Sequence, residues 1–357
     1  MCGITGFINF SGHNKEEVST RIKKMADAIA HRGPDEEGFY VDDHAALGHR
    51  RLSIIDLSSG QQPMAAQNGN YQIVFNGEVY NYLEIKEDLI QKGYHFKTTS
   101  DTEVVLKSYI EWGESCVKKF NGMFAFAIWD KKQKRLFASR DRVGKKPFYY
   151  TWDGKTFAFA FASEIKSLLI GRFSNKKIDP KALDCYLTFG YIPVPFSIFD
   201  DIHKLAASQT LIVQDNQLNK STYWQVNFDI PIVRTMEEAC EEFKSLLYDA
   251  VKCRLMSEVP LGAFLSSGLD STLVVSFMSE IMTQKVLTNT IGFGDPKFSE
   301  MPAARQVADH LGTNHHEFIV DPNASETIQK IAAILTNLLE IQVPYPPGMS
   351  AKWLGRM

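Results

Sequence analysis

The amino-acid sequence predicts an α+β layered domain followed by a doubly wound, parallel α/β domain, and three observations carry that expectation. Over residues 1–170, short β-rich apolar runs alternate with two or three helices, the pattern of sheets with segregated helices. From Thr235 the rhythm changes to strand, helix, strand, helix at regular spacing, which argues for a parallel sheet. The length of 357 residues exceeds one ordinary domain at about 150 residues per unit.

Strands are expected at 3–9, 45–49, 71–76, 123–129, 135–139 and 156–162. Between the first two, Val18, Ile22, Met25 and Ile29 form one apolar stripe, predicting a helix over 15–30 that Gly33 and Pro34 stop. Ser100 and Glu103 have capping-box spacing at the start of a second helix that ends near Gly113. The run GMFAFAIWD, KKQKR, LFASRD reads as a hairpin, so the basic residues 131–135 are a solvated turn rather than a nucleic-acid patch. Residues 171–234, with Pro180, Pro193, Pro195, Pro231 and a strand-like TLIV, read as a connector with its own hairpin. Thr235 and Glu238 repeat the capping-box spacing, and Cys240, Phe243, Leu247, Val251 and Leu255 form the stripe of the next helix. Strands at 259–265, 286–293 and 315–320 then alternate with helices at 271–282, 300–311 and 323–333.

Lys+Arg 39 against Asp+Glu 42 leaves a net charge of -3, which supplies no footprint for nucleic acid or an anionic membrane. No apolar run approaches the roughly 20 residues of a membrane span. The N-terminus lacks a basic region and a long apolar stretch, so a cytoplasmic location is expected. Cys2, Cys116, Cys185, Cys240 and Cys253 are odd in number and scattered, which argues against a disulfide framework or a zinc site. Adjacent His315 and His316 on a strand point to opposite faces and cannot chelate one ion together. Cys2 stands apart through its position. If Met1 is removed, Cys2 carries a thiol and a free α-amine, whose pKa of about 7.7–8.0 suits it as a base near neutral pH.

The ordered segments MCGITGF, HRGPDEEG (31–38), HRRLSIIDL (49–57), FNGEVYN (75–81), SDTEV (100–104), NGMFAFAIWD (121–130) and RDRVGKKPFYY (140–150) resemble the class II glutamine amidotransferase family. The resemblance implies an N-terminal-nucleophile hydrolase fold, with Cys2 attacking the side-chain amide of glutamine to form a thioester and release ammonia. It implies that the Asn76 side chain and the Gly77 backbone N–H stabilise the oxyanion, Gly being suited to close backbone approach. Arg51 would clamp the substrate carboxylate through its planar fork. Leu52, Ser53, Ile54 and Ile55 belong to the same glutamine-binding segment, while Glu78 and Asp101 would hold the polar groups, Asp101 taking the ammonium. A surface salt bridge is the other reading of Arg51, one that Arg50 could equally supply. Asp101 also suits a helix N-terminus, and both roles can hold at once.

The segment VPLGAFLSSGLDST (259–272) is a strand running through a Ser/Gly turn into a helix, an anion cradle without the lysine of a Walker loop. It resembles the SGGxDS pyrophosphate loop of the ATP pyrophosphatase superfamily, here Ser266, Ser267, Gly268, Leu269, Asp270 and Ser271. Ser267 stands where that loop has Gly, which narrows the freedom of the turn. The resemblance implies that Leu265 and Ile291 contact the nucleotide base and that Asp270 positions magnesium on the phosphates. The two halves together resemble the glutamine-hydrolysing asparagine synthetase family. That family adenylates the aspartate β-carboxyl with ATP and displaces AMP with ammonia, giving asparagine, AMP and pyrophosphate. The implied partners are glutamine, aspartate and magnesium-bound ATP, with no organic prosthetic group, no nucleic acid, no membrane, and a homodimer as the assembly.

The chain departs from that pattern in three places. FAFAFASEIKSLL (157–169) carries an extra Phe-Ala pair, which preserves strand alternation, and KLAASQTL (204–211) lacks the usual Pro/Gly turn. After Ile331 no FDEPF-like motif follows. A shifted reading frame of 334–357 can encode FDEPFGDSSAVPTWYVSKMAREN, so an aberrant tail from a frameshift near Ala333 is expected. The domain over 235–333 would then be incomplete, and the chain would retain at most glutaminase chemistry. An amidotransferase for another carboxylate, or an inactive remnant, are the rival readings.

Overall fold

The computed structural model describes residues 1–8, 14–156, 158–228, 234–293 and 299–320. The helix expected at 323–333 and the aberrant tail expected at 334–357 both fall outside the described residues. The chain divides into two units, one reaching Val226 and one starting at Asn227. Among the described residues no helix is long and apolar enough to cross a membrane.

In the first unit the strands run β1 (Gly3–Ile8), β2 (Glu36–Val41), β3 (Ala45–Arg51), β4 (Met64–Ala66), β5 (Tyr71–Val79) and β6 (Gly122–Asp130). They continue as β7 (Arg135–Arg140), β8 (Tyr149–Asp153), β9 (Ala158–Ala162), β10 (His203–Lys204), β11 (Gln209–Gln214) and β12 (Gln217–Thr222). The helices are α1 (Lys15–Asp27), α2 (Tyr82–Gln91), α3 (Asp101–Trp112), α4 (Ile165–Ile170) and α5 (Pro180–Phe189). The strands form two six-stranded sheets, in the orders β10-β8-β9-β1-β3-β2 and β12-β11-β7-β6-β5-β4. The expected α+β layering is therefore present.

Period-two alternation builds the layers. In β6, Ala125, Ala127 and Trp129 enter a core shared with Ile4 and Ile8 of β1, Leu47 of β3 and Phe159 and Phe161 of β9. The intervening Phe126 and the neighbouring Phe137 face the other way, where Tyr109 of α3 stacks on Phe137 at 4.9 Å. On the far side of the first sheet, Val18, Ile22 and Met25 of α1 and Ile165 and Leu168 of α4 cover Phe7, Ala46, Ala160 and Ala162. In the Phe-Ala repeat, Phe159 and Phe161 thus lie between the sheets and Ala160 and Ala162 under the helices.

Three expectations change. The first helix ends at Asp27, and Ile29 lies beyond it in a separate turn. Ser100 does cap α3 by accepting from the Thr102 N–H at 3.2 Å. Glu103 does not complete a box, because its carboxylate accepts instead from the N–H groups of Lys97 and Thr98 and pairs with Lys107. The stretch after 170 is no separate connector: β10 joins the first sheet, and the β11–β12 hairpin extends the second through β7.

The second unit holds α6 (Met236–Lys252), β13 (Gly262–Phe264), α7 (Leu269–Ile281), β14 (Leu287–Phe293), α8 (Met301–Leu311) and β15 (Asn314–Val320). Its strands lie in the order β13-β14-β15, all parallel, as the alternating pattern requires. Here the capping box forms in full: Thr235 Oγ1 accepts from the Glu238 N–H at 3.2 Å, and Glu238 Oε2 accepts from the Thr235 N–H at 3.0 Å.

Phe161 is buried between the sheets, stacked on Phe148 at 5.3 Å, and a Cβ on Gly6 would come within 2.6 Å of its ring. Phe161→Ala is expected to destabilise the first unit by about 3–5 kcal/mol through lost burial and a residual cavity, measured by urea unfolding.

Candidate functional site

A cavity of about 350 Å³ opens where the start of β1, the end of β3, the second half of β5 and the N-terminus of α3 converge. Cys2 stands at its wall, one residue before β1. The thiol sulfur accepts from the Leu52 N–H at 3.5 Å and lies 3.7 Å from the Leu52 carbonyl. The Cys2 carbonyl accepts from Arg32 Nε at 3.0 Å, so the backbone behind the thiol is held as well. Burial pushes the Cys2 thiol up, with the Leu52 N–H acting against it, and burial lowers the pKa of the N-terminal ammonium beside it.

Asn76 and Gly77 line the same cavity as Cys2. Asn76 is 1% exposed, yet neither Oδ1 nor Nδ2 has a hydrogen-bond partner within the protein. An unsatisfied buried polar group costs about 1–3 kcal/mol, so an amide with both ends open is a feature the fold must support from elsewhere. Gly77 is required by packing, since a Cβ there would run into the Met123 carbonyl and the Phe124 backbone of β6. The close approach that Gly serves is between β5 and β6.

Arg51 is buried. Its guanidinium is steadied by Glu36 Oε2 at 2.8 Å and by the carbonyls of Ile55 and Asp56. The surface pairing falls to Arg50, which engages Asp27 and Glu37. Asp101, the first residue of α3, accepts from the Val79 N–H at 3.0 Å. Burial first, and the Glu78 charge after it, push its carboxyl up to about 7. Glu78, Leu52, Ile54 and Ile55 also line the cavity. Ser53 does not: its N–H is turned to Asp35 Oδ2 at 2.8 Å.

Two cavity residues carried no signal of their own in the sequence. Lys146 is 6% exposed, and burial lowers the pKa of its ammonium, with Glu78 acting in the opposite direction. It lies inside the RDRVGKKPFYY segment, but nothing in that string distinguishes it from exposed Lys145. Gln62 lines the cavity from a loop that no periodic pattern marks. Taken together, the cavity offers a thiol, an open amide, a guanidinium, an ammonium and two carboxylates, a set suited to a small zwitterion with one reactive carbonyl.

In the second unit, the turn from β13 into α7 carries Ser266–Ser271. Ser266 Oγ lies 2.9 Å from Ser271 Oγ and accepts from the Gly268 N–H at 3.1 Å. Gly268 caps α7 without a side-chain acceptor, and Asp270 is exposed in the first turn. Leu265 is packed in the core beside Val251 and Val275, with its N–H donated to the Asn289 carbonyl and its own carbonyl accepting from Thr290. Ile291 lies on β14, half-buried. His315 is half-buried with Nδ1 at 2.9 Å from Thr288 Oγ1, whereas His316 is exposed, as alternate strand positions require.

Residues 1–224 match the family model described as a glutamine amidotransferase domain, and residues 242–346 match the one described as asparagine synthase. A Methanocaldococcus jannaschii protein provisionally named asparagine synthetase (glutamine-hydrolyzing) 2 is 44% identical over 342 residues, 89% of this chain and 64% of its own length. Asparagine synthetase (glutamine-hydrolyzing) 1 of Bacillus subtilis is 38% identical over 327 residues, 90% of this chain and 50% of its own. The chain therefore spans between half and two thirds of these curated relatives.

The raised Asp101 carboxyl has a consequence for stability. Between pH 4 and about 7 the folded state holds a proton that the unfolded chain has released, so stability falls as pH rises through that window. Asp101→Asn is expected to flatten this decline, measured as the unfolding midpoint against pH.

Proposed function

The chain belongs to the glutamine amidotransferase family, and from that premise we propose that its first unit hydrolyses glutamine at Cys2. Removal of Met1 would place the Cys2 α-amine in the cavity beside its own thiol. The amine takes the Sγ proton, and the sulfur forms a bond to the amide carbon of glutamine. The carbonyl electron pair moves onto oxygen, where Asn76 Nδ2 and the Gly77 N–H receive it. Collapse of that intermediate breaks the carbon–nitrogen bond, and the leaving nitrogen takes the proton from the ammonium and departs as ammonia. Water then attacks the thioester, giving a proton to the α-amine; through a second oxyanion the carbon–sulfur bond breaks, the sulfur takes that proton back, and glutamate leaves.

Arg51 receives the substrate α-carboxylate, for which its bonds to Glu36 and the 55–56 carbonyls hold the guanidinium in place. Asp101 and Glu78 receive the α-ammonium. An arriving cation favours the ionised carboxylate, so binding draws Asp101 down from about 7. The observation that supports the reading most directly is the buried Asn76 amide without a partner, on the same cavity as Cys2.

For the second unit we propose the ATP-dependent half of asparagine synthesis, in which ammonia displaces AMP from activated aspartate. The α7 N-terminus, which has no side-chain cap, fits a phosphate group, and exposed Asp270 fits a magnesium ion held against it. Magnesium, when bound, neutralises phosphate charge. Glutamine, aspartate and ATP in the cytoplasm are the proposed small-molecule partners, and a homodimer is the proposed assembly.

Ammonia release from glutamine tests the first unit. Wild-type protein is expected to be active and Cys2→Ala inactive, with Asn76→Ala reduced about 10²- to 10³-fold in kcat. An uncleavable N-terminal extension removes the free amine and is expected to abolish release; full activity in the extended protein would show that another group is the base.

A further inference from the structure

Gln62 is 8% exposed and joins two parts of the cavity wall that the chain brings together from distant segments. Its Oε1 accepts from the Phe75 N–H at 2.6 Å, and its Nε2 donates to Thr102 Oγ1 at 3.3 Å. The orientation of the amide follows from the partners, because a backbone N–H can only donate and so fixes which end of Gln62 faces it. Phe75 immediately precedes Asn76 on β5, and Thr102 immediately follows Asp101 on α3.

The carbonyl side of Phe75 is held too. His49 Nε2 lies 3.1 Å from the Phe75 oxygen. Burial lowers the His49 pKa to about 4, so at neutral pH the ring is uncharged and its one N–H is donated to that oxygen. The Phe75 residue is thus gripped at its N–H by Gln62 and at its C=O by His49, one residue before the open amide. The Gln62 backbone is itself fixed, since its carbonyl packs so closely on Gly38 of β2 that a Cβ there would overlap it.

We infer that Gln62 is a positioning residue for glutamine hydrolysis, setting the Asn76 donor on β5 against the Asp101 carboxylate on α3. This inference rests on the glutaminase reading of the site. Gln62 acts through Asn76: it orients the strand segment from which the amide projects, and it ties that segment to the helix end that receives the ammonium. The oxyanion donors and the ammonium partner then sit at one fixed separation, the one a bound amino-acid amide must span. A shift of even about 1 Å in such a donor can cost about 10²-fold in rate.

The test is a pair of substitutions in two backgrounds. Gln62→Met preserves volume and removes both hydrogen bonds. In otherwise wild-type protein it is expected to lower kcat for ammonia release about 10- to 100-fold with a much smaller change in KM. In the Asn76→Ala background the same substitution is expected to cost less than about 3-fold, because the group it positions is gone. Thr102→Val is expected to reproduce the effect in part and Thr102→Ser to restore it, and these two variants serve if Gln62→Met does not fold. Equal fold-losses in both backgrounds, or an unchanged kcat in the folded single variant, would overturn the inference while leaving an active wild type and an inactive Cys2→Ala intact. A folded wild type that releases no ammonia overturns the glutaminase reading and this one with it.

Discussion

The register of β1 against β3 is the constraint on which the site depends. Gly3 pairs with Arg50 and Ile8 with Ala45, so the residue before β1 arrives opposite the end of β3, against Arg51 and Leu52. That pairing brings the thiol to the Leu52 backbone and puts a buried guanidinium in the same wall. A slip of one residue would exchange the two faces of β1. The exchange is costly here because both faces are committed: Ile4 and Ile8 to the core between the sheets, Phe7 to the layer under α1, and Thr5 Oγ1 to the Phe161 carbonyl and Ser167. An entirely buried strand with two different faces specifies where the chain terminus must lie.

Buried polar groups near the cavity contrast with those that organise the scaffold beside it. Asp141 accepts from the N–H groups of Phe124, Val143, Lys145 and Lys146, and so organises the turn after β7. At Asp56 burial alone would raise the carboxyl, but hydrogen bonds from Ser59 and Thr99 outweigh it and leave the group ionised more readily than usual. These carboxylates are satisfied and serve the scaffold. Asn76, Asp101 and Lys146 are the opposite kind: an amide with no partner, a carboxyl pushed up, an ammonium pushed down. Each lies on one cavity, and each is disfavoured in the form it would take in water. A fold tolerates such a cluster when a ligand completes it and two packed sheets sustain it.

Much of this was legible in the sequence, through two different routes. Alternation in 122–130 and in the Phe-Ala repeat assigned strand faces directly, because a period of two is a local property. Cys2, Arg51, Asn76, Glu78 and Asp101 were legible only as parts of ordered motifs, and the cavity gathers all five. What escaped was decided by competition between distant partners. Ser100 and Glu103 have the spacing of a capping box, but Glu103 finds two N–H groups and a lysine elsewhere, so the spacing is met and the box is not. Thr235 and Glu238, with no such competitors, form theirs. The hairpin at 209–222 has the local signature of a strand pair, while its membership of the second sheet rests on β7, some seventy positions earlier. Gln62 went unmarked, and Ser53 was expected in the glutamine-binding wall, for the same reason: one reaches Phe75 and Thr102, the other turns to Asp35.

Ser267 shows how a departure from a motif is to be weighed. Gly at such a turn is indispensable only if the backbone enters the left-handed region or another chain approaches too closely for a Cβ. Ser267 is absent from the residues of positive φ, and Gly268 beside it has φ of -73°. A Cβ on Gly268 would meet only the Ser266 hydroxyl at 3.2 Å. The turn therefore holds its shape through hydroxyls, with Ser271 Oγ reaching Ser266 and Gly268, rather than through glycine-specific torsions. A serine in place of glycine adds a donor beside the α7 N-terminus without strain. The helix end, on which the proposed phosphate binding rests, is left in place by the replacement.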